Sequence, residues 1–499
     1  MSGQLINNFL KKNTKQYDLI AIDFIDETYL QDDEKTENLV RLIYNNLSKE
    51  GSLWLTCDNF LDTKYNNFIP FRLQKLFSKN NFFLKNIICW VSENLNSQCF
   101  HDYFKLILFF TKNQKIFVFN KDLVREKHIW KDVEWGKRKF RYNDKGKDPG
   151  NFWLPTEDDG KAKITKHCIL STKEKNDRIF NLSTSLSTRS LLFTYKKYNH
   201  KNLTDIVLYE VNKIKKNEFT INENFLIKKN LINKNLNNKN FSHEIFFKNS
   251  LNINEIKNKS VKLVITSPPY WNLKDYNNTK QIGKGDNYEN YLVNLTGVWK
   301  KCIDVLSDDG SIWININTRI VKGIFYNIPG DIVKSLNKLN LIHFETIIWH
   351  KSSGIPVNEK NLSDRFEYIL GFKKNNLNNI NVYEQIDNDY LFTENKKNLN
   401  IWNMNRASGS ISKGVPHPAM YPIELPRRII RRFSNISDII LDPFLGSGST
   451  IAASILENRN SFGYELNKDY KKIISLQIEK ALNEIKSTHN LNHKINYLD

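Results

Sequence analysis

The residues best suited to chemistry are a serine, two prolines and two aromatic residues at positions 267–271. They follow residues 261–265, an apolar run rich in β-branched side chains that predicts a buried strand. The prolines cannot donate to a sheet, so the strand must end there. Ligands bind at the carboxyl ends of strands in open α/β sheets, which predicts a site at this serine. The alternative is a proline turn packed by aromatic side chains.

A glycine-rich turn at residues 442–450 is the second candidate. It follows a short apolar run at 438–441 and precedes a helical pattern that begins at Ile451. No Gly-Lys-Ser/Thr follows, so the turn is not a phosphate-binding P-loop. The next predicted strand, 461–465, ends in a carboxylate that can accept hydrogen bonds from ribose hydroxyls. The pattern favours a nucleoside cofactor that needs no pyrophosphate.

Together the two stretches resemble the motifs of the S-adenosylmethionine-dependent DNA amino-methyltransferases. The family's catalytic motif, Ser/Asp/Asn-Pro-Pro-Tyr/Phe, matches residues 267–270, and its Phe-x-Gly-x-Gly cofactor turn matches residues 444–448. Between them, residues 417–428 resemble a His-Pro-Ala-x-x-Pro-x-x-Leu segment that helps to enclose the methionine part of the cofactor. The catalytic motif precedes the cofactor motif, which is the order of the family's beta group. The resemblance covers the second half of the chain.

The resemblance implies a specific set of site residues. The catalytic residues are Ser267, Pro268, Pro269 and Tyr270. The cofactor-binding residues are Asp442, Pro443, Phe444, Gly446, Gly448, Ser449, Thr450, Glu465, His417, Pro418 and Pro422. The residues expected to contact nucleic acid are Trp271, Lys274, Lys137, Arg138 and Arg141. The last three belong to a basic, aromatic-rich stretch that can hold phosphates and stack on bases, although a solvated basic turn is the alternative.

The chemistry implied is transfer of a methyl group from S-adenosylmethionine to an exocyclic base amine, without a metal. The Ser267 hydroxyl and the Pro268 carbonyl would accept hydrogen bonds from that amine, and Tyr270 would stack on a base flipped out of the duplex. Serine at the first motif position favours the N4 amine of cytosine, and the N6 amine of adenine is the close alternative. Two further hypotheses, an RNA methyltransferase and a non-catalytic nucleic-acid-binding protein, are less favoured by the same motifs.

The first half of the chain repeats features of the second. Residues 47–55 match 306–314, and residues 86–90 match 345–349, both at an offset of 259 residues (306 − 47). The early copy has Asp23 where the later one has Ser267. We therefore predict a Rossmann-like, doubly wound α/β methyltransferase sheet that is present twice. The expected domains are a degenerate copy for DNA recognition or structural support at 1–215, a Lys/Asn-rich linker at 216–243 and a catalytic copy at 244–499.

Composition agrees with a DNA partner without identifying one. The chain has 499 residues and a net charge of +20, which favours a polyanionic partner, although RNA or an AT-rich genome explains the lysines equally well. No signal peptide or bilayer-length apolar run is evident. The five scattered cysteines form no CxxC pair, which is typical of reduced thiols in the cytoplasm. We expect a prokaryotic or phage protein near the nucleoid, with double-stranded DNA as substrate and a cognate restriction endonuclease as a further partner.

Overall fold

The structure is a computed structural model, and it divides the chain into two compact units. It describes residues 10–11, 16–24, 32–58, 61–62, 67–91, 104–117, 119, 150–153, 179–182, 228–230, 239–273, 278–351, 362–375, 381–383, 400–406, 420–486 and 492–499. Unit 1 comprises Met1–Phe219, Thr318–Asn327 and Ser353–Phe366. Unit 2 comprises Thr220–Asn317, Ile328–Ser352 and Glu367–Asp499.

Strands and helices both occur along the described part of the chain. The first ten are β1 (Tyr17–Phe24), α1 (Asp33–Asn46), β2 (Leu47–Asp58), β3 (Leu61–Asp62), β4 (Asn67–Phe68), α2 (Ile69–Lys79), β5 (Phe83–Val91), β6 (Phe104–Thr111), β7 (Phe152–Trp153) and β8 (Ile179–Leu182). The next nine are β9 (Lys228–Asn230), β10 (Asn240–Phe246), β11 (Val261–Thr266), α3 (Tyr288–Val305), β12 (Leu306–Ile316), β13 (Arg319–Val321), β14 (Ile324–Tyr326), α4 (Ile328–Asn337) and β15 (Leu341–His350). The last nine are β16 (Phe366–Lys374), β17 (Asn381–Tyr383), β18 (Ile401–Asn403), α5 (Glu424–Phe433), β19 (Ile439–Asp442), α6 (Ser449–Leu456), β20 (Asn460–Tyr464), α7 (Lys471–Lys486) and β21 (Asn492–Leu498).

Unit 1 is built on a six-stranded sheet with the order β7-β5-β6-β2-β1-β8. Its core packs Leu19, Trp54 and Phe109 from three neighbouring strands against Leu362, which comes from a much later part of the sequence. The backbone N–H of Leu362 also donates to the Asn86 side chain at 3.3 Å. The later segment is therefore an integral part of unit 1.

Unit 2 carries a nine-stranded mixed sheet with the order β18-β15-β16-β12-β11-β19-β20-β10-β21. The central strand β11 is buried at every residue, as the continuous apolar run predicted. It pairs in parallel with β12 on one side and β19 on the other. The carboxyl ends of β11 and β19 therefore lie side by side, and both candidate motifs begin there.

The two sheets share one strand order. Reading across, β7-β5-β6-β2-β1-β8 of unit 1 corresponds to β18-β15-β16-β12-β11-β19 of unit 2. The pairing registers of the two sheets agree as well. In unit 1, Ile22 of β1 lies opposite Leu55 of β2. In unit 2, Thr266 of β11 lies opposite Ile314 of β12 in the same way. Asp23 thus follows the strand position that Ser267 follows in the later sheet. Duplication of an ancestral domain remains a prediction, now with a shared topology in its support.

The domain boundaries differ from the contiguous ones expected from the sequence. Within the predicted linker 216–243, residues Lys228–Asn230 form β9, which pairs with β17, and β10 begins at Asn240 inside the large sheet. Lys and Asn are poor strand formers, so the composition of this segment concealed β9. Local composition also gave no sign that unit 1 takes in residues 318–327 and 353–366.

Candidate active site

The catalytic motif lies at the carboxyl end of β11, as predicted. Pro268 is buried, whereas Ser267, Pro269 and Tyr270 are partly exposed. The Pro269 carbonyl accepts a hydrogen bond from the Tyr291 hydroxyl at 2.9 Å, which fixes the turn against α3. Within the described part of the chain, no hydrogen bond occupies the Ser267 hydroxyl. That hydroxyl is available as an acceptor for a substrate amine.

The glycine turn joins β19 to α6 through two left-handed residues. Gly446 has φ of 55° and Gly448 has φ of 88°, conformations that residues with a Cβ rarely adopt. A Cβ at Gly448 would also lie 3.2 Å from the Ile474 side chain on α7. The turn therefore requires glycine at 448 for both backbone and packing reasons, and α6 begins directly after it.

Asp442 joins the two motifs through its buried carboxylate. It accepts hydrogen bonds from the Thr266 hydroxyl at 2.7 Å, the Thr450 hydroxyl at 2.5 Å and the Tyr421 hydroxyl at 2.9 Å. The backbone N–H of Phe444 donates to it at 3.0 Å. Burial raises the pKa of Asp442, and these donors oppose that rise. With its lone pairs directed to protein donors, Asp442 is placed to shape the turn.

Glu465 follows β20 and is 9% exposed. Its carboxylate accepts hydrogen bonds from the backbone N–H of Gly446 and of Asn467, each at 2.8 Å. Burial raises its pKa to about 7, although the two backbone donors act in the opposite direction, and the neighbouring Asp442 adds to the rise. A carboxyl group that titrates near neutrality is typical of a functional site.

One open cavity, with an empty volume of about 840 Å³, connects the two motifs. The predicted site residues that line it are Ser267, Pro269, Tyr270, Pro443, Phe444, Gly446 and Glu465. Lining residues that the sequence did not single out include Lys248, Asn249, Asn278, Gln281, Met420 and Tyr464. The lining offers a nucleoside Glu465 as an acceptor for its hydroxyls and Phe444 as an apolar surface.

Other predicted residues lie outside this lining. Asp442, Gly448, Ser449 and Thr450 are buried behind the cavity wall, where they hold the turn. Pro422 precedes α5, and its carbonyl accepts from the Leu425 N–H at 3.0 Å. The predicted residues that lie outside the described part of the chain are His417, Pro418, Lys274, Lys137, Arg138 and Arg141.

Trp271 was predicted to contact nucleic acid, and the structure gives it a packing role. It is 6% exposed, and its indole N–H donates to the Asp286 carbonyl at 2.9 Å. Its ring lies 5.0 Å from that of Tyr288, between centroids. Large aromatic residues beside a site often pack the loop that forms it, and the sequence alone did not distinguish that from base contact.

A charged cluster behind Tyr270 was missed by sequence reasoning. The Tyr270 hydroxyl donates to Glu367 Oε2 at 2.7 Å, and the Asn315 amide donates to the same oxygen at 2.8 Å. Lys351 Nζ lies 3.1 Å from Glu367 Oε1. Burial would raise the pKa of Glu367, but the Lys351 charge and the hydrogen bonds outweigh it, so the pKa is lowered and the group stays ionised. The feature of the sequence that could have revealed this cluster is the carboxylate of Glu367 within the apolar strand β16.

The strand order, the glycine turn and the shared cavity fit a Rossmann-like methyltransferase that uses S-adenosylmethionine. The sequence model of the N6/N4 methylase family, described as DNA methylase, matches residues 24–247 and 261–476. Because these matches cover most of the chain, the protein belongs to the N6/N4 DNA methylase family.

Two named Type II methyltransferases agree with this assignment. The Type II methyltransferase M.MjaI of Methanocaldococcus jannaschii is 32% identical over 282 residues, which is 47% of this chain and 91% of that protein. M.MthZI of Methanothermobacter thermautotrophicus, also a Type II methyltransferase, is 30% identical over 278 residues, or 48% and 77% of the two chains. Among solved structures, PvuII DNA methyltransferase (cytosine-N4-specific) is 20% identical with a TM-score of 0.38, covering 51% of this chain and 96% of that one.

Among the residues that the structure describes, no helix is long and apolar enough to cross a membrane. The same residues contain no group of three or more His, Cys, Asp or Glu side chains arranged to hold a metal ion.

Proposed function

We propose that the protein methylates the exocyclic N4 amine of cytosine at a specific site in duplex DNA, as the modification enzyme of a Type II restriction–modification system. The observation that carries this proposal is the single cavity that joins Ser267 and Tyr270 to the glycine turn and Glu465. Two similar proteins are named Type II methyltransferases, which supports a cognate restriction endonuclease and a cytoplasmic site of action on DNA.

The site residues act by positioning and by accepting hydrogen bonds. An exocyclic amine is a weak nucleophile because its lone pair is delocalised into the ring. The Ser267 hydroxyl and the Pro268 carbonyl would accept its two N–H groups and favour a localised lone pair. The backbone that carries both acceptors is rigid, because prolines fix the turn and Tyr291 anchors it, so little backbone reorganisation is needed in the transition state. Tyr270 would stack on the flipped base. When bound, S-adenosylmethionine supplies the electrophilic methyl group.

Ser267 also supports cytosine as the target base. A hydroxyl is a neutral acceptor, whereas the adenine enzymes that the motif resembles usually carry aspartate at this position. Adenine N6 is the second candidate function, and the motif order that matches the beta group admits both bases. Mass spectrometry of nucleosides from DNA methylated by the purified protein separates them. N4-methylcytosine is the expected new nucleoside, and N6-methyladenine as the only product would overturn the cytosine proposal.

Unit 1 is proposed to be a degenerate copy of the catalytic fold that contributes to DNA recognition or to structural support. Its sheet has the strand order of the catalytic sheet but carries Asp23 where the catalytic motif has Ser267. Substituting Lys137, Arg138 and Arg141 together should weaken DNA binding and flatten its dependence on salt, if this basic stretch contacts phosphates. Unchanged binding at every salt concentration would mean that this basic stretch has no role in DNA recognition.

A further inference from the structure

A buried ion pair directly behind the catalytic motif has no role in the function proposed so far. Glu367 lies on β16 and Lys351 follows β15, and their side chains are only 16% and 3% exposed. A buried ion pair is weak evidence for a contribution to stability, because desolvation of both charges offsets much of their attraction. The role of this ion pair is therefore inferred from the other hydrogen bonds that Glu367 makes.

The Glu367 carboxylate divides its two oxygens between the ion pair and the catalytic motif. Oε1 faces Lys351 Nζ at 3.1 Å, while Oε2 accepts from the Tyr270 hydroxyl at 2.7 Å. The Asn315 amide donates to the same Oε2 at 2.8 Å and lies 3.5 Å from the Tyr270 oxygen. Asn315 and Glu367 lie on the neighbouring strands β12 and β16, so the acceptor for Tyr270 is built on the rigid sheet.

We propose that Glu367, held in place by Lys351 and Asn315, is a positioning residue that fixes the Tyr270 ring for stacking on the flipped target base. The inference rests on the proposed function, in which Tyr270 provides that stacking surface. A tyrosine side chain has two rotatable bonds, and an anchored hydroxyl restrains both of them. Restraint before the base arrives lowers the ordering cost of stacking, which is the usual benefit of preorganisation. Tyr270 cannot be replaced by phenylalanine without losing this anchor.

The test is a double-mutant cycle with Tyr270→Phe and Glu367→Gln, assayed by methyl incorporation into unmodified plasmid DNA. Tyr270→Phe keeps the aromatic ring and removes only the hydroxyl. Glu367→Gln keeps the shape and removes the charge. Each single variant should lower kcat about tenfold or more, since hydrogen bonds to charged groups are among the stronger ones. The double variant should fall no further than the single ones, because both remove the same contact. Cofactor affinity measured by calorimetry should stay within about twofold of the parent value in every variant.

A control uses a more exposed ion pair at the other end of the same sheet. Lys262 on β11 and Asp309 on β12 are joined at 2.5 Å, and neither residue lines the cavity. Asp309→Asn removes one charge of a pair on the neighbouring strands and should leave kcat unchanged. A loss of kcat in this control equal to that in Glu367→Gln would overturn the positioning role.

Base extrusion gives a readout that a merely structural role would not move. A fluorescent base analogue is placed at the methylated position of a short duplex, and the fluorescence change on binding is followed. Tyr270→Phe and Glu367→Gln should both change the amplitude for the bound analogue, while overall DNA affinity stays the same. Rescue of kcat in Glu367→Asp relative to Glu367→Gln would further support a charged anchor.

The possible failures are distinguishable. If Glu367→Gln does not fold, Tyr270→Phe alone decides, because it leaves the ion pair intact. Parent-like kcat and fluorescence in Tyr270→Phe would refute the anchoring role. If Tyr270→Ala also retains full activity, the stacking role in the proposed function fails with it. Loss of activity in Tyr270→Ala alone would leave the proposed function standing and reject only the anchor.

Discussion

Lowering the pH from about 8 to about 6 should weaken cofactor binding by about tenfold, because Glu465 changes its protonation state in this interval. Burial raises the pKa of this carboxyl group to about 7. Only the ionised form can accept hydrogen bonds from ribose hydroxyls with both oxygens. The ionised fraction is about 0.9 at the higher pH and about 0.1 at the lower, and apparent affinity scales with that fraction. Cofactor affinity must fall, not rise, as the pH is lowered, because a carboxyl group with a raised pKa gains its proton as the pH falls through 7.

Calorimetry in two buffers of different ionisation enthalpy provides the assay. At pH 7 the parent protein should release about half a proton from Glu465 when the cofactor binds. Glu465→Gln is the matched control, because glutamine keeps the shape and does not titrate. The amino group of the cofactor itself titrates at a pKa of about 8, and this variant reports that contribution alone. Identical proton release and identical pH dependence in the parent and the variant would refute the reasoning.

Three further predictions concern the residues around the cavity and the edge of the sheet. Gly448→Val should abolish S-adenosylmethionine binding in calorimetry with the circular dichroism spectrum intact, because its Cβ meets Ile474 and its φ is 88°; normal binding would show that the turn is not the cofactor site. Ser267→Ala should lower kcat far more than cofactor affinity, since its contact forms with the base, and undiminished methylation would remove it from the mechanism. Burial lowers the pKa of His243 to about 3, so thermal stability should fall as the pH drops below 6.5, by about 2 kcal/mol at pH 5. A flat melting temperature between pH 7 and pH 5 would contradict this.

Local sequence patterns were sufficient to predict the elements that form the cavity wall. The apolar run before Ser267 predicted β11, and the glycine turn predicted the junction between β19 and α6. These features depend on residues adjacent in sequence, where strand propensity, proline and glycine act directly.

The residues that local patterns missed are joined by long-range contacts. Tyr270 and its acceptor Glu367 are 97 positions apart, and only the pairing of β12 with β16 brings Asn315 beside both. Tyr421 similarly donates a hydrogen bond to Asp442. Its segment, residues 417–428, was singled out from the sequence only because it resembles one that encloses the methionine part of the cofactor. A lone carboxylate in an apolar strand signals a buried partner, but the sequence does not say which residue that partner is.

The division of the chain between its two units bears on how the protein emerges from the ribosome. The polypeptide passes from one unit to the other at residues 219, 317, 327, 352 and 366. Domains usually fold as units during synthesis, beginning with the N-terminal one. Here unit 1 lacks the segment that contributes Leu362 to its core until 366 residues have been translated. The core of unit 1 therefore cannot be completed until residues 220–317 of unit 2 have also been translated. For the same reason, dividing the gene at one point cannot yield two whole units.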